Sequence, residues 1–147
     1  MSCVFIGDSL AVGTAHQRTE CVNQAVGGRT TRQTIAQIQQ IPVGSDQVIV
    51  SVGSNDLLAK DTTPDQRIRL YDSLRSGITA PSVVWILPNI HQQNRDAILV
   101  VARRHGDCVL DSRPLVSADG VHPGPAGYRQ LARQSADIGP GQCAGTK

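Results

Sequence analysis

Apolar positions gather into four short runs: Cys3-Val-Phe-Ile6, Val48-Ile-Val-Ser-Val52, Val83-Val-Trp-Ile-Leu87 and Cys108-Val-Leu110. A weaker run covers Glu20-Cys-Val-Asn23. They are rich in β-branched residues and bounded by Gly, Pro, Asn or Asp. Runs without polar alternation predict strands buried on both faces, as in a parallel sheet. The segments between them carry helical spacing. Ile35, Ile38 and Ile41 recur at i+3. Ile68, Tyr71, Leu74 and Ile78 form one stripe, with Thr63 or Asp65 able to cap its start. Ile98, Val101, Ala102 and His105 form another, which Gly106 ends. Tyr128, Leu131, Ala132 and Ser135 form the last, after Pro123-Gly124-Pro125. Strands alternating with helices predict an α/β sandwich around a mostly parallel sheet. In such sheets ligands bind beyond the C-terminal ends of the strands.

The segment after each strand therefore matters most. In chain order these are Gly7-Asp8-Ser9-Leu10, Val26-Gly27-Gly28-Arg29-Thr30, Gly53-Ser54-Asn55-Asp56, Pro88-Asn89-Ile90-His91 and Asp119-Gly120-Val121-His122-Pro123. Phosphate binding finds no support: Gly7 and Gly13 have the wrong spacing for a phosphate loop, Thr14 stands where Lys is needed, and no G-x-G-x-x-G occurs. Acyl transfer fits better. A serine hydroxyl is a weak nucleophile and needs a base. Ser9 falls between a strand end and a predicted helix start. His122 is the best base, since its loop shares the same edge. Asp119, three residues earlier on a Gly-containing turn, can reach the imidazole and hold the tautomer that leaves Nε2 free for Ser9. An oxyanion needs hydrogen-bond donors where its charge develops. Ser9 and Gly28 can offer backbone N–H groups and Asn55 a side-chain amide.

These blocks closely resemble the SGNH (GDSL) hydrolase superfamily: GDSL at 7–10, Asn23-Gln-Ala-Val-Gly-Gly28, GSND at 53–56 and DGVHP at 119–123, in the family's order. The resemblance spans roughly residues 3–135. It implies a flavodoxin-like, three-layer α/β/α sandwich with five parallel strands in the order 2-1-3-4-5. It also implies Ser9 as nucleophile, His122 as base, Asp119 as third triad member, and an oxyanion hole of Ser9, Gly28 and Asn55. The doubled Gly27-Gly28 leaves the glycine donor open, and alignment on Asn23 favours Gly28. No metal or cofactor is required.

Length and composition agree with one domain. The chain has 147 residues, 39% apolar and 18% charged, which suits a single SGNH domain over 1–138 followed by a flexible tail from 139 to 147. Net charge is +2, aromatics are 3%, and the only adjacent basic pair is Arg103-Arg104, so neither a clustered basic face nor a stacking surface for nucleic acid is present. No apolar run approaches the roughly 18 residues of a membrane span, so stable membrane insertion is not expected. No signal peptide is visible, which reads as cytoplasmic, or as exported if a leader has been trimmed. Cys3 and Cys108 sit in apolar runs and read as buried free thiols. Cys21 and Cys143 leave a disulfide open, and no cysteine–histidine spacing matches zinc.

Plainer readings apply to several residues. Asp8 reads as a turn or cap, Trp85 as core, His16 and His105 as ordinary surface or helix-end residues. Arg29, Asn89, His91 and Val121 stand at the binding edge as substrate-contact candidates, with a solvated loop role the plainer reading for Arg29 and His91. The function expected is a serine esterase acting on short acyl esters. Its substrate would be a small ester or an acylated glycan, with O-acetyl groups on carbohydrate or cell-wall polymers fitting best. A rival within the enzyme class is a lysophospholipase or thioesterase with a groove lined by Leu57, Leu58, Ile90 or Val121. A non-catalytic binding module on the same fold is the rival from another class.

Overall fold

The apolar runs do form strands, and the strands pair as one sheet. A computed structural model describes residues 2–56, 62–139 and 143. In chain order these are β1 (Cys3–Gly7), α1 (Ser9–Ala15), β2 (Val22–Asn23), α2 (Thr31–Ala36), β3 (Gln47–Ser51), α3 (Pro64–Ser76), β4 (Ser82–Leu87), α4 (Gln92–His105), β5 (Cys108–Asp111) and α5 (Pro125–Ala136). All pairings are parallel and the order is β2-β1-β3-β4-β5. The strand order reverses at β1. The crevice beyond β1 and β3 is thus the switch point where ligands of such sheets bind.

Both sheet faces are covered, which is why the runs lack polar alternation. Val4, Val48, Val50 and Trp85 face Tyr71 and Leu74 of α3 and Ile98 and Val101 of α4. Phe5, Ile49, Val84 and Ile86 face Leu10 and Ala11 of α1 and Leu131 of α5. Each large apolar side chain buried this way contributes about 1.5–3 kcal/mol. The layer formed by α1 and α5 is tight. A β-carbon at Gly13 would come 2.3 Å from the Tyr128 ring.

Two expectations are corrected. The Ile35-Ile38-Ile41 stripe is not one helix. α2 stops at Ala36, and a 3-10 turn comes next at Ile38–Gln40. Spacing of three residues is the 3-10 period, and Pro42 disfavours a helical conformation at Ile41. The cysteines are not free thiols: Cys3 is bonded to Cys21 and Cys108 to Cys143. Cys3 and Cys108 are buried, yet each opens its strand at the sheet's lower edge, where a neighbouring segment passes close. The Cα separations of 4.8 and 5.1 Å suit disulfides. Cys143, the partner of Cys108 in β5, falls within residues 139–147.

Candidate active site

Gly7 sets the exit from β1. It has φ +109°, and a β-carbon there would lie 1.9 Å from the Ser51 carbonyl oxygen, so only glycine fits. The chain then turns into α1. Asp8 is its N-cap: one carboxylate oxygen accepts from Leu10 N at 3.2 Å and from Ser51 Oγ at 2.7 Å. The other oxygen is buried without a partner, and burial pushes the Asp8 pKa up to about 6. The cap presents Ser9 as the first residue of α1, half-buried at the crevice.

Ser9 Oγ lies 3.1 Å from His122 Nε2, and His122 Nδ1 lies 2.8 Å from Asp119 Oδ2. An ionised carboxylate can only accept, so Nδ1 carries the proton and Nε2 faces the serine hydroxyl as acceptor. The other Asp119 oxygen accepts from the backbone N–H groups of Val121 and His122, both at 2.8 Å. These two N–H groups, His122 first, hold the Asp119 carboxyl well below the usual carboxylate range, and the imidazole adds to them. One side chain thus folds its own turn and orients the ring. That is why a three-residue spacing suffices.

The candidate oxyanion donors, Gly28 and Asn55, lie on two other loops. Hydrogen bonds from Gln24 N to Phe5 O and from Val26 N to Gly7 O run the β2 segment along β1 as far as Val26. This seats Gly27-Gly28 beside Ser9: a β-carbon on Gly27 would be 3.9 Å from Ser9 Cβ. Gly28 has φ +80°, and its N–H makes no hydrogen bond among the described residues. Asn55 Nδ2 donates to Arg29 O at 3.2 Å. That bond uses one of two amide hydrogens and fixes the direction of the other. Asp56 ties these loops together. It is buried, accepts from Thr31 N at 2.8 Å and from Thr31 Oγ1, and accepts from Tyr71 OH at 2.9 Å. Burial, with the Asp56 charge beside it, pushes the Tyr71 pKa up.

The substrate-contact candidates separate. Arg29 lines a groove of about 350 Å³ with Val26, Gly28, Gln33 and Gln37, next to the Ser9 crevice. One guanidinium nitrogen is spent on Gln24 O at 2.9 Å. Val121 N donates to Asp119 within the turn, its carbonyl accepts from Asn89 Nδ2, and the residue stays half-exposed. His91 is exposed at the N-cap of α4 with φ 63° and makes no capping bond through its side chain. It does not line this groove. Asn89 differs from the others in its burial. It is 8% exposed, and both ends of its amide are held by protein groups, Ser112 Oγ and Val121 O. Leu57 and Leu58 lie outside the described residues. His16 caps the C-terminus of α1, and His105 pairs with Asp72 at 3.1 Å, both outside this constellation. Among the described residues the one clustered set of metal-ligand types is Cys3, Glu20 and Cys21, whose two sulfurs are joined to each other.

Sequence reasoning missed Asp56, Tyr71 and Ser112 as parts of the site. Asp56 adjoins Asn55 in a recognisable block, but Tyr71 reads only as a core stripe and Ser112 as a residue after a strand.

A model of the GDSL-like lipase/acylhydrolase family matches residues 5–130. The chain belongs to this family. Solved structures agree on the fold. A member of the lipolytic G-D-S-L family from Veillonella parvula is 19% identical, with a TM-score of 0.64 over 94% of this chain and 97% of that one. A GDSL-like lipase from Bacteroides thetaiotaomicron is 16% identical, with a TM-score of 0.63 over 90% and 84%. The C-terminal catalytic domain of a peptidoglycan O-acetyltransferase from Streptococcus pneumoniae, solved with a methylsulfonyl adduct, is 15% identical, with a TM-score of 0.60 over 92% and 90%. No curated protein matches.

Proposed function

We propose that this acylhydrolase-family protein is a serine esterase that removes short acyl groups, acetyl foremost, from the hydroxyls of carbohydrate or cell-wall polymers. The observation that carries the reading is the hydrogen-bonded series Ser9–His122–Asp119, with Gly27-Gly28 packed beside Ser9. Ser9 Oγ attacks the ester carbonyl as His122 Nε2 takes its proton. The oxyanion is met by the N–H groups of Ser9 and Gly28 and by the free Asn55 amide hydrogen. His122 returns the proton to the departing alcohol, which leaves an acyl-Ser9 ester. Water, deprotonated by His122, then releases the acid and restores Ser9. Asp119 stays ionised throughout and steadies the imidazolium.

The acyl preference rests on the groove. Gln33, Gln37 and the unspent guanidinium donors of Arg29 suit hydroxyl-rich partners better than an alkyl chain. A neighbour on this fold that is named for O-acetyl transfer on peptidoglycan gives the glycan reading a precedent. The paired cysteines favour an oxidising compartment over a cytoplasmic one. No helix among the described residues is long and apolar enough to cross a membrane.

The test is hydrolysis of p-nitrophenyl esters from acetyl to octanoyl, run beside Ser9→Ala. Expected is Ser9-dependent turnover, greatest with acetate. Rates rising with chain length would overturn the short-acyl reading in favour of lipid or thioester substrates. Turnover that survives in Ser9→Ala would overturn the mechanism. Folded protein that neither turns over esters nor reacts with a fluorophosphonate would be a binding module.

A further inference from the structure

The turn that carries the base is held from outside at few points. Residues 117–120 are exposed, and His122 and Val121 are half-exposed. Most hydrogen bonds of this turn are internal. Asp119 accepts from Val121 and His122, Gly120 N donates to Ser117 O at 3.1 Å, and Ser117 N donates to His122 O at 2.8 Å. Val116 and Pro123 form an isolated bridge. Among the described residues, the hydrogen bonds that reach 116–123 from other elements come from two side chains. One is Ser9, the reacting partner. The other is Asn89, which donates from Nδ2 to the carbonyl of Val121, the residue directly before His122.

Asn89 is itself fixed. It lies just past β4, and its Oδ1 accepts from Ser112 Oγ at 2.7 Å. Ser112 lies just past β5 and is fully buried. A hydroxyl that donates to Oδ1 dictates which end of the amide faces the turn. The ends of β4 and β5 thus hold the Val121 carbonyl in place, and the next residue is the base.

We propose that Asn89, oriented by Ser112, is a positioning residue for the reaction: it sets the distance of His122 Nε2 from Ser9 Oγ by holding the Val121 carbonyl. The proposal rests on the serine-esterase reading above. A displacement of about 1 Å at a reacting group can cost on the order of 100-fold in rate, and an amide buried among three elements is suited to prevent it.

The test is a double-mutant cycle on p-nitrophenyl acetate, with thermal unfolding recorded for every variant. Asn89→Ala is expected to lower kcat about 10- to 100-fold, with KM changed less than about two-fold. Ser112→Ala, the milder change should Asn89→Ala fail to fold, is expected to lower kcat in the same direction by a smaller factor. In a His122→Ala background, where no base remains to be positioned, either substitution is expected to change the residual rate less than about two-fold. Loss by the same factor in both backgrounds would overturn the proposal, since Asn89 would then be acting on the fold at large. Unchanged kcat in both single variants would overturn it too. Ser9→Ala separates this failure from that of the functional reading: if Ser9 is required but the cycle shows no coupling, only the positioning role falls.

Discussion

Replacing Asp8 with Asn isolates the cost of a buried charge beside Ser9. Asp8 is fully buried, and one of its oxygens has no partner. Burial raises its pKa from the ordinary 3.8 to about 6, while the bonds from Ser51 and Leu10 pull the other way. An acid whose pKa is higher in the folded state binds more protons there than in the unfolded chain. Its ionisation therefore subtracts from stability. The loss begins as pH rises through 3.8 and is complete above about 6. At 1.36 kcal/mol per pH unit the full penalty is about 3 kcal/mol, and no solvent discount applies to a side chain with no exposure. The amide of Asp8→Asn would keep an oxygen for Leu10 and Ser51, and Asn is as good an N-cap as Asp. The unpaired amide group adds an offset that does not vary with pH. The informative quantity is therefore the change in the stability difference with pH. Urea denaturation of both proteins at pH 4 and pH 7.5, disulfides intact, should show the Asn variant gaining about 2 kcal/mol relative to wild type across that interval. A difference flat with pH would refute the burial argument. A gain in the opposite direction would mean that the charged form is the one the fold prefers.

Asn55→Ala removes the proposed side-chain oxyanion donor and should lower kcat about 10²- to 10³-fold with little change in KM, measured on the short ester series. Asp119→Asn leaves an acceptor for the Val121 and His122 amides but allows the wrong imidazole tautomer. Steady-state kinetics should show kcat down by about 10²- to 10⁴-fold with the secondary structure intact by circular dichroism. Each disulfide closes a loop, of 18 and 35 residues in separation, for which chain entropy gives about 3 to 4 kcal/mol. Cys3→Ser and Cys143→Ser should each lower the urea midpoint, and a thiol titration of the denatured, unreduced protein should find no free thiol.

The fold was legible because each apolar run lacks alternation, and strands buried on both faces are what such runs become. β2 shows the limit of that signal. Val22 and Asn23 are exposed, and the segment is held by pairing with β1 rather than by burial. Its apolar content therefore said little about where pairing ends. Ile35, Ile38 and Ile41 show another limit, since spacing of three residues fits a 3-10 turn as well as a helix face. The cysteine pairs could not be read from composition, because burial of Cys3 and Cys108 is equally required of a free thiol and of a half-cystine.

The site divides along the same line. Ser9, Asp119 and His122 were legible since each is placed by its own neighbours: Ser9 by the Gly7 turn and the Asp8 cap, Asp119 and His122 by bonds within one turn. What brings the three loops into one geometry was not legible, because it depends on pairs far apart in sequence. Asp56 meets Thr31 and Tyr71, and Asn89 meets Ser112 and Val121, only once the strand order is set. These buried polar groups have no periodicity to give them away. Each would also be costly if left unpaired, on the order of 1–3 kcal/mol. The same partnerships that stabilise the loops therefore fix their spacing. That coupling makes a stability measurement at Asp56 or Asn89 insufficient by itself. Only a cycle through His122 separates the placing of the base from the holding of the fold.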